Sequence, residues 1–404
     1  MSTHAGTALA EGRPGSSPLA LVLEGGGARA AWQVGALRGL AHELPDLQPT
    51  IQVGVSAGAI NAAFLANQEG TLAAAVQGLS RLWGGLDTSG VFATHPTGLV
   101  SRLLRVGLRL ALGLESPGEP ILGMVDTKPL RRTLERGLMG NAEAFEGLRR
   151  NLESGRLRAL ALLTTRYATG QTVCFFEGQG VTSWDRPQRL GKRARLGVEH
   201  VLASAALPLF FPPVEVAGDW YGDGGVRLVA PLAPAVHLGA ERILALSTRY
   251  ARTAEEAAAP RASGPPSPAL IAGNLFNAVF LDSLDQDAAH LERINRLLAA
   301  APQDEVEGLR PVALAMLRPS EDLGLLAARF EPELPWMFRR LLRNLGTGGE
   351  DSQDLLSTVL FEPGYLHALL ELGERDGRSA APRVAEALGL GSGRGVGERS
   401  QDPA

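Results

Sequence analysis

The sequence predicts an α/β fold of three layers, α/β/α, with a mostly parallel central sheet, and three observations carry that prediction. Four runs of strand length, "LALVLEGG", "IQVGVSAG", "LRALALLTTR" and "RILALSTRY", are continuously apolar, as strands covered on both faces are. Between them lie "ARAAWQVGALRGLAHEL", "INAAFLANQ" and "PLRRTLERGL", whose helical patterning supplies the crossovers that parallel strands need. One stretch departs from the pattern: "PVEVAGDWYGDGG" alternates on either side of Gly218 and Asp219, a turn-forming pair, and reads as an antiparallel hairpin.

In chain order, residues 1–17 lack both the basic start and the apolar core of a secretory signal and read as a disordered tail. Residues 18–376 form the expected catalytic domain. Within it, "GLVSRLLRVGLRLALGL" (98–114) is interrupted by Arg102, Arg105 and Arg109, so it does not read as a bilayer span. On a helix those arginines share one face and leucines populate the rest, which makes 98–114 a candidate for peripheral contact with a membrane surface. Residues 251–268, "ARTAEEAAAPRASGPPSP", read as a mobile linker. The part from 269 to 376 reads as helical, with helices over 269–298, 323–329, 335–345 and 364–372 and one strand in "PVALAMLRPS" that can rejoin the main sheet. From Gly377 to 404 the Gly, Arg and Ser content reads as a second disordered tail.

Composition narrows the classes of function. The 404 residues are 45% hydrophobic and 20% charged, and 39 basic against 43 acidic side chains give a net charge of −4, which is no footprint for nucleic acid. A single cysteine, Cys174, excludes an internal disulfide and a multi-cysteine zinc site, and it reads as a buried strand thiol. Seven scattered histidines without ligand spacing predict no metal, and no cofactor is expected. The expected location is the cytoplasm, with the inner membrane surface within reach.

Two glycine-bearing turns carry the chemistry. Gly54-Val55-Ser56-Ala57-Gly58 is a G-x-S-x-G pentapeptide between an apolar strand and an alanine-rich helix, the context of a nucleophile elbow. Gly54 and Gly58 remove side chains that would clash in so sharp a turn, leaving Ser56 exposed at a helix N-terminus. A capped strand-to-helix turn would account for the pentapeptide by itself. A serine nucleophile also needs donors for the tetrahedral oxyanion, however, and Gly25, Gly26 and Gly27 with Ala28 offer a row of unobstructed N–H groups at the start of a helix. Arg29 either holds this loop, helps neutralise a phosphate-bearing substrate, or simply pairs at the surface. The candidate base is Asp223, directly after the hairpin and followed by Gly224 and Gly225.

These three stretches, "GGGARA", "GVSAG" and "DGG", resemble, in the same order, the oxyanion element, nucleophile elbow and catalytic-aspartate motif of the patatin-like phospholipase family. The segment "HVLASAALPLFFPPVEV" resembles what bacterial members carry before the aspartate. The resemblance implies a Ser56–Asp223 dyad without histidine, an oxyanion hole from Gly25 to Ala28, an acyl-enzyme, and phospholipid or another lipid ester as substrate. Two alternatives stay open. An α/β-hydrolase triad would recruit His237 or His290, which follow Ser and Asp in the required order. A lipid-binding regulatory module would keep the fold without catalysis. A dinucleotide fingerprint in "GGGARA" fails, because the second strand ends in the elbow rather than in an acidic residue. Ser204 lacks flanking glycines and reads as a capping or packing residue near the site.

Overall fold

The computed structural model describes residues 17–91, 127–138, 145–208, 210–258, 283–300, 308–334 and 353–390, with single positions 271 and 339. The segment 98–114, the expected helix over 335–345 apart from position 339, most of 1–17, and 391–404 of the expected second tail lie outside the described residues. Of the expected linker, Ala254–Ala258 is a short helix and 259–268 lies outside.

Among the described residues the sheet has ten strands: β1 (Leu19–Leu23), β2 (Ile51–Val55), β3 (Ala159–Arg166), β4 (Gln171–Gly178), β5 (Trp184–Arg186), β6 (Arg189–Arg193), β7 (Val214–Val216), β8 (Asp219–Asp223), β9 (Arg242–Leu246) and β10 (Ala313–Leu317). Its order is β10-β9-β1-β2-β3-β4-β6-β5, and the β7–β8 hairpin joins through β8 to β3. The five strands from β10 to β3 are parallel, while β4 is antiparallel to β3. The continuous apolar strands are those of the parallel half, and β1 and β2 are buried along their whole length. The strand in "PVALAMLRPS" is β10, which lies in register with β9 from Ala313 against Arg242. Cys174 lies buried in β4.

One irregularity in the ladder positions the site. Strand β2 runs beside β3 as far as Val55 against Leu163, where it stops, and the next pair on β3 is Thr164 with Asp223 of β8. The hairpin therefore takes over the place that β2 vacates, which brings Asp223 to the residue that follows Val55. Its turn is Ala217-Gly218, both at positive φ (51° and 83°), as a tight hairpin requires. This corrects the sequence reading of Gly218 and Asp219 as the turn pair. Asp219 is the first ladder residue, opposite Val216, and its carboxylate accepts from Arg166 at 2.8 Å.

Two apolar layers cover the sheet. The larger holds α1 (Ala30–Glu43), α2 (Ala57–Asn67) and the terminal helix Pro363–Ala387. That terminal helix overturns the expected disordered tail from 377: it runs on through Pro382 to Ala387, burying Gly377, Ala380, Ala381, Val384 and Ala385. The small residues that looked like a tail are what its packing demands. Gly35 and Gly39 on α1 face Gly373 and Gly377 on the terminal helix, and a Cβ at any of the four would overlap backbone atoms of the opposing helix. The expected 269–298 helix is described over Ser283–Ala300, and the expected 323–329 helix over Leu323–Ala328.

Candidate active site

The nucleophile candidate sits on strained backbone. Ser56 has φ 54° and ψ −128°, a conformation that costs a non-glycine residue about 1–3 kcal/mol and persists only where its surroundings impose it. Those surroundings are visible. The Ser56 N–H donates to Ser204 Oγ at 3.0 Å, and Ser204 in turn donates to the Leu163 carbonyl at 2.6 Å. Behind the turn, a Cβ on Gly58 would overlap the Leu23 carbonyl oxygen, and one on Gly54 would lie 2.5 Å from Ala59 Cα. Glycine is therefore required at both elbow positions by contact, as the pentapeptide implied.

Asp223 is fully buried. Its backbone is fixed by donation from its N–H to the Ala206 carbonyl at 2.9 Å and by acceptance at its own carbonyl from Thr165 Oγ1 at 2.8 Å. Oδ1 accepts from the Gly225 N–H at 2.8 Å, whereas Oδ2 is buried and accepts no fully formed hydrogen bond. The Ser56 hydroxyl is near enough to favour the carboxylate, although the contact falls short of a formed bond. Burial is the larger influence: it pushes the carboxyl up to about 7, against the opposing pull of Ser56 and Gly225.

The glycine loop closes the other side. Gly27–Arg29 form one 3-10 turn that leads into α1, and Gly26 before it has φ 148°, a region open to glycine alone. A Cβ on Gly25 would lie 2.9 Å from Ser56 Cβ, so loop and elbow touch. Gly26 and Gly27 line a partly open cavity together with Ser56, and Ala28 is buried behind them. The N–H groups of Gly26 and Gly27 belong to the start of the turn, where a helix has no acceptors of its own for them. The rest of the described wall is mostly apolar, including Ile60, Leu82, Trp83, Leu134, Phe210 and Phe361, with Thr133 and Thr358 as its other polar side chains, and among the described residues none of the lining side chains carries a charge.

Arg29 does not face that cavity. Its guanidinium is 3% exposed, donating from Nε to Ser357 Oγ at 2.8 Å and from Nη2 to Asp354 Oδ1 at 2.7 Å. Of the sequence alternatives for Arg29, the contacts match the one in which it holds the loop: the guanidinium is tied to the helix Gln353–Val359 by a buried ion pair rather than turned toward the cavity. The same helix supplies Thr358 and Val359 to the cavity wall, and a Cβ on Gly27 would overlap the Thr358 carbonyl oxygen. Ser357 and Thr358 lie in "LLSTVLFEPGYLHALLELG", a stretch of looser resemblance, but the sequence reading assigns neither them nor Asp354 to the site, and their long-range contacts bring them there. Neither triad histidine reaches the site. His237 stacks on Trp184 at 4.9 Å beside a separate cavity, with its pKa lowered chiefly by burial; His290 is exposed on the helix Ser283–Ala300.

What the geometry defines is an α/β protein with an elbow serine, a glycine loop and a buried carboxyl gathered at one end of an apolar cavity. A model of the patatin-like phospholipase family matches residues 21–236, more than half of the chain, and the chain belongs to that family. No curated protein sequence matches it. Among solved structures it is similar to VipD from Legionella pneumophila, at 14% identity and a TM-score of 0.36, covering 88% of this chain and 67% of VipD. It is also similar to human GIVD cytosolic phospholipase A2, at 13% identity and a TM-score of 0.46, covering 93% of this chain and 60% of the human one. The same human enzyme in complex with methyl gamma-linolenyl fluorophosphonate gives 15% identity and a TM-score of 0.42, covering 92% of this chain. This chain thus spans about three fifths of the human enzyme's length.

Proposed function

We propose that the protein is a lipid acyl hydrolase in which Ser56 and Asp223 act as a dyad. The observation that carries this reading is the Asp223 carboxyl, buried with its Oδ2 lacking a formed hydrogen bond and close enough to the Ser56 hydroxyl to be favoured by it, while Ser56 lines an apolar cavity. Family membership supplies the substrate class, a lipid ester. As Ser56 Oγ attacks the ester carbonyl carbon, its proton passes to Asp223 Oδ2 and negative charge collects on the carbonyl oxygen. The N–H groups of Gly26 and Gly27 are the donors proposed for that oxyanion, with Gly25 setting the approach to Ser56. Collapse of the tetrahedral intermediate breaks the ester C–O bond, and the leaving alkoxide takes the proton from Asp223. Water then attacks the acyl-enzyme, giving its proton to the carboxylate. That proton returns to Ser56 Oγ as the fatty acid departs.

An aspartate at its ordinary pKa is a weak base near neutrality. Burial raises Asp223 to about 7 and so matches it to the proton it must take. The uncharged wall suits an acyl chain, and at about 0.8 kcal/mol per buried methylene, each added carbon is expected to raise kcat/KM by about fourfold until the cavity is filled. The reading is favoured over a histidine triad because His237 stacks on Trp184 beside a separate cavity and His290 is exposed on the helix Ser283–Ala300. Among the described residues no helix is long and apolar enough to cross a membrane, and peripheral contact through 98–114 is retained as a proposal. The test is a panel of defined phospholipids, lysophospholipids and neutral esters, with products identified by mass. Wild type is expected to release fatty acid and to be labelled at Ser56 by a fluorophosphonate, and Ser56→Ala to do neither. Turnover that persists in Ser56→Ala overturns the reading.

A further inference from the structure

The peptide joining Gly25 to Gly26 lies between two residues without side chains, so its own conformational preferences leave its orientation nearly open. Orientation matters here more than anywhere else in the loop, because it decides whether the Gly26 N–H faces the Ser56 cavity or turns away from it. The restraint comes from β9. Thr248, two residues beyond the end of that strand, is fully buried and donates from Oγ1 to the Gly25 carbonyl at 2.7 Å. The peptide is trans, so a carbonyl drawn toward Thr248 sends the Gly26 N–H to the opposite side. Gly26 lines the cavity with Ser56, and a Cβ on it would lie 2.5 Å from Thr248 Oγ1, so the loop is seated directly on the threonine.

Thr248 is itself held. Its N–H donates to Glu24 Oε2 at 3.3 Å, and the same oxygen accepts from Ser247 Oγ at 2.7 Å. Ser247 donates from its N–H to the Leu317 carbonyl of β10 at 3.0 Å. Glu24 is 2% exposed, and burial pushes its carboxyl up to about 8, against the opposing pull of Ser247 and Thr248, so near neutrality the group is mainly uncharged. Both of those bonds fall on Oε2, while Oε1 is buried without a hydrogen-bond partner among the described residues. Nothing in the acyl-transfer cycle uses Glu24, Ser247 or Thr248 as a reactant.

We propose that Thr248 is a positioning residue for acyl transfer: its hydroxyl holds the Gly25 carbonyl and thereby turns the Gly26 N–H toward the oxyanion that forms at Ser56. The proposal rests on the hydrolase reading above. A group that acts in this way stabilises the transition state and leaves ground-state binding alone, so its loss falls on kcat with KM unchanged.

The experiment compares wild type with Thr248→Val, which keeps the shape and removes the donor, and with Thr248→Ser, which keeps the donor. A soluble short-chain ester is the substrate, and a trifluoromethyl ketone, which forms an oxyanion adduct with a reactive serine, is the probe. Thr248→Val is expected to lower kcat about 100-fold, the scale of a lost oxyanion donor, and to weaken the ketone by a similar factor with KM nearly unchanged. Thr248→Ser is expected to stay close to wild type on all three readouts. Should the valine variant not fold, as thermal melting will show, Thr248→Ala against Thr248→Ser gives the same contrast. Wild-type kcat in a folded valine or alanine variant overturns the proposal, as does a loss confined to KM or an equal loss in the serine variant. In each of those cases wild-type turnover leaves the hydrolase reading standing. A wild-type protein that turns over no ester removes that reading, and this proposal with it.

Discussion

The two halves of the site are built differently. Ser56 and Asp223 stand at strand ends inside the region matched by the family, and their supports, Ser204, Thr165 and Ala206, come from the same region. The glycine loop is also inside it, yet two of its anchors lie beyond residue 236: Thr248 on the Gly25 carbonyl, and Asp354 with Ser357 on Arg29. Ser56 and Asp223, the proposed nucleophile and base, are thus fixed by the sheet. The glycine loop, the proposed oxyanion donor, is fixed in part by chain that follows the matched region. The two can therefore be disturbed separately.

Four experiments sharpen or break that contrast. The largest effect is expected on the sheet-held side, where Asp223→Asn removes the base and lowers kcat by about 10³-fold, measured on a soluble ester. The same carboxyl sets the pH dependence. The base must be ionised, so kcat/KM is expected to fall as pH drops through about 7. Stability runs the other way: the folded group resists ionisation between its ordinary 3.8 and about 7, so the wild type loses stability as pH climbs through that window. Thermal melts should accordingly show Asp223→Asn as more stable than wild type at pH 8, with the gap closing toward pH 4. A gap that stays constant with pH would mean the carboxyl is not strained by burial.

On the loop side the effect is smaller and of another kind. Asp354→Ala leaves the Arg29 charge buried without its ion pair, which is expected to cost about 3 kcal/mol and to lower kcat roughly tenfold as the loop loosens. Replacing Arg29 with Met in the same chain should recover much of the melting temperature without recovering kcat. If kcat returns as well, the clamp serves stability alone. Smallest of all, His237→Ala should leave turnover within about twofold of wild type. It loses only the stack on Trp184. A loss approaching the ~10⁴-fold of a broken triad would restore the histidine reading.

This contrast also explains what the sequence revealed. The parallel strands were legible because burial on both faces leaves a continuous apolar run, and the elbow because its glycines are forced by contacts within a few residues or with the adjacent strand. The hairpin was legible as a hairpin, although its turn lay one residue earlier, since Ala217 at positive φ carries no sequence mark. Three features were hidden for one reason, that their partners are far away in the chain. Arg29 reads as a loop anchor, a substrate cation or a surface cation alike until Asp354 is seen 325 residues on. Ser204, 148 residues from Ser56, shows nothing in sequence of the hydrogen bond it accepts from the elbow. The helix beyond Gly377 reads as a tail because its glycines and alanines make sense only against the glycines of α1.

The matched glycines of α1 and the terminal helix carry a consequence in time. Helix α1 is made early on the ribosome, and the groove that its Gly35 and Gly39 leave can be filled only when Gly373 and Gly377 have emerged. Arg29, at the foot of the same helix, waits 325 residues for Asp354, which at about 5–20 residues per second is roughly 16–65 s of synthesis. For the last part of that interval, once Asp223 has also been made, Ser56 and Asp223 can stand together while the glycine loop beside them has no clamp. The proposed catalytic pair is thus expected to be assembled before the loop that would serve it is held.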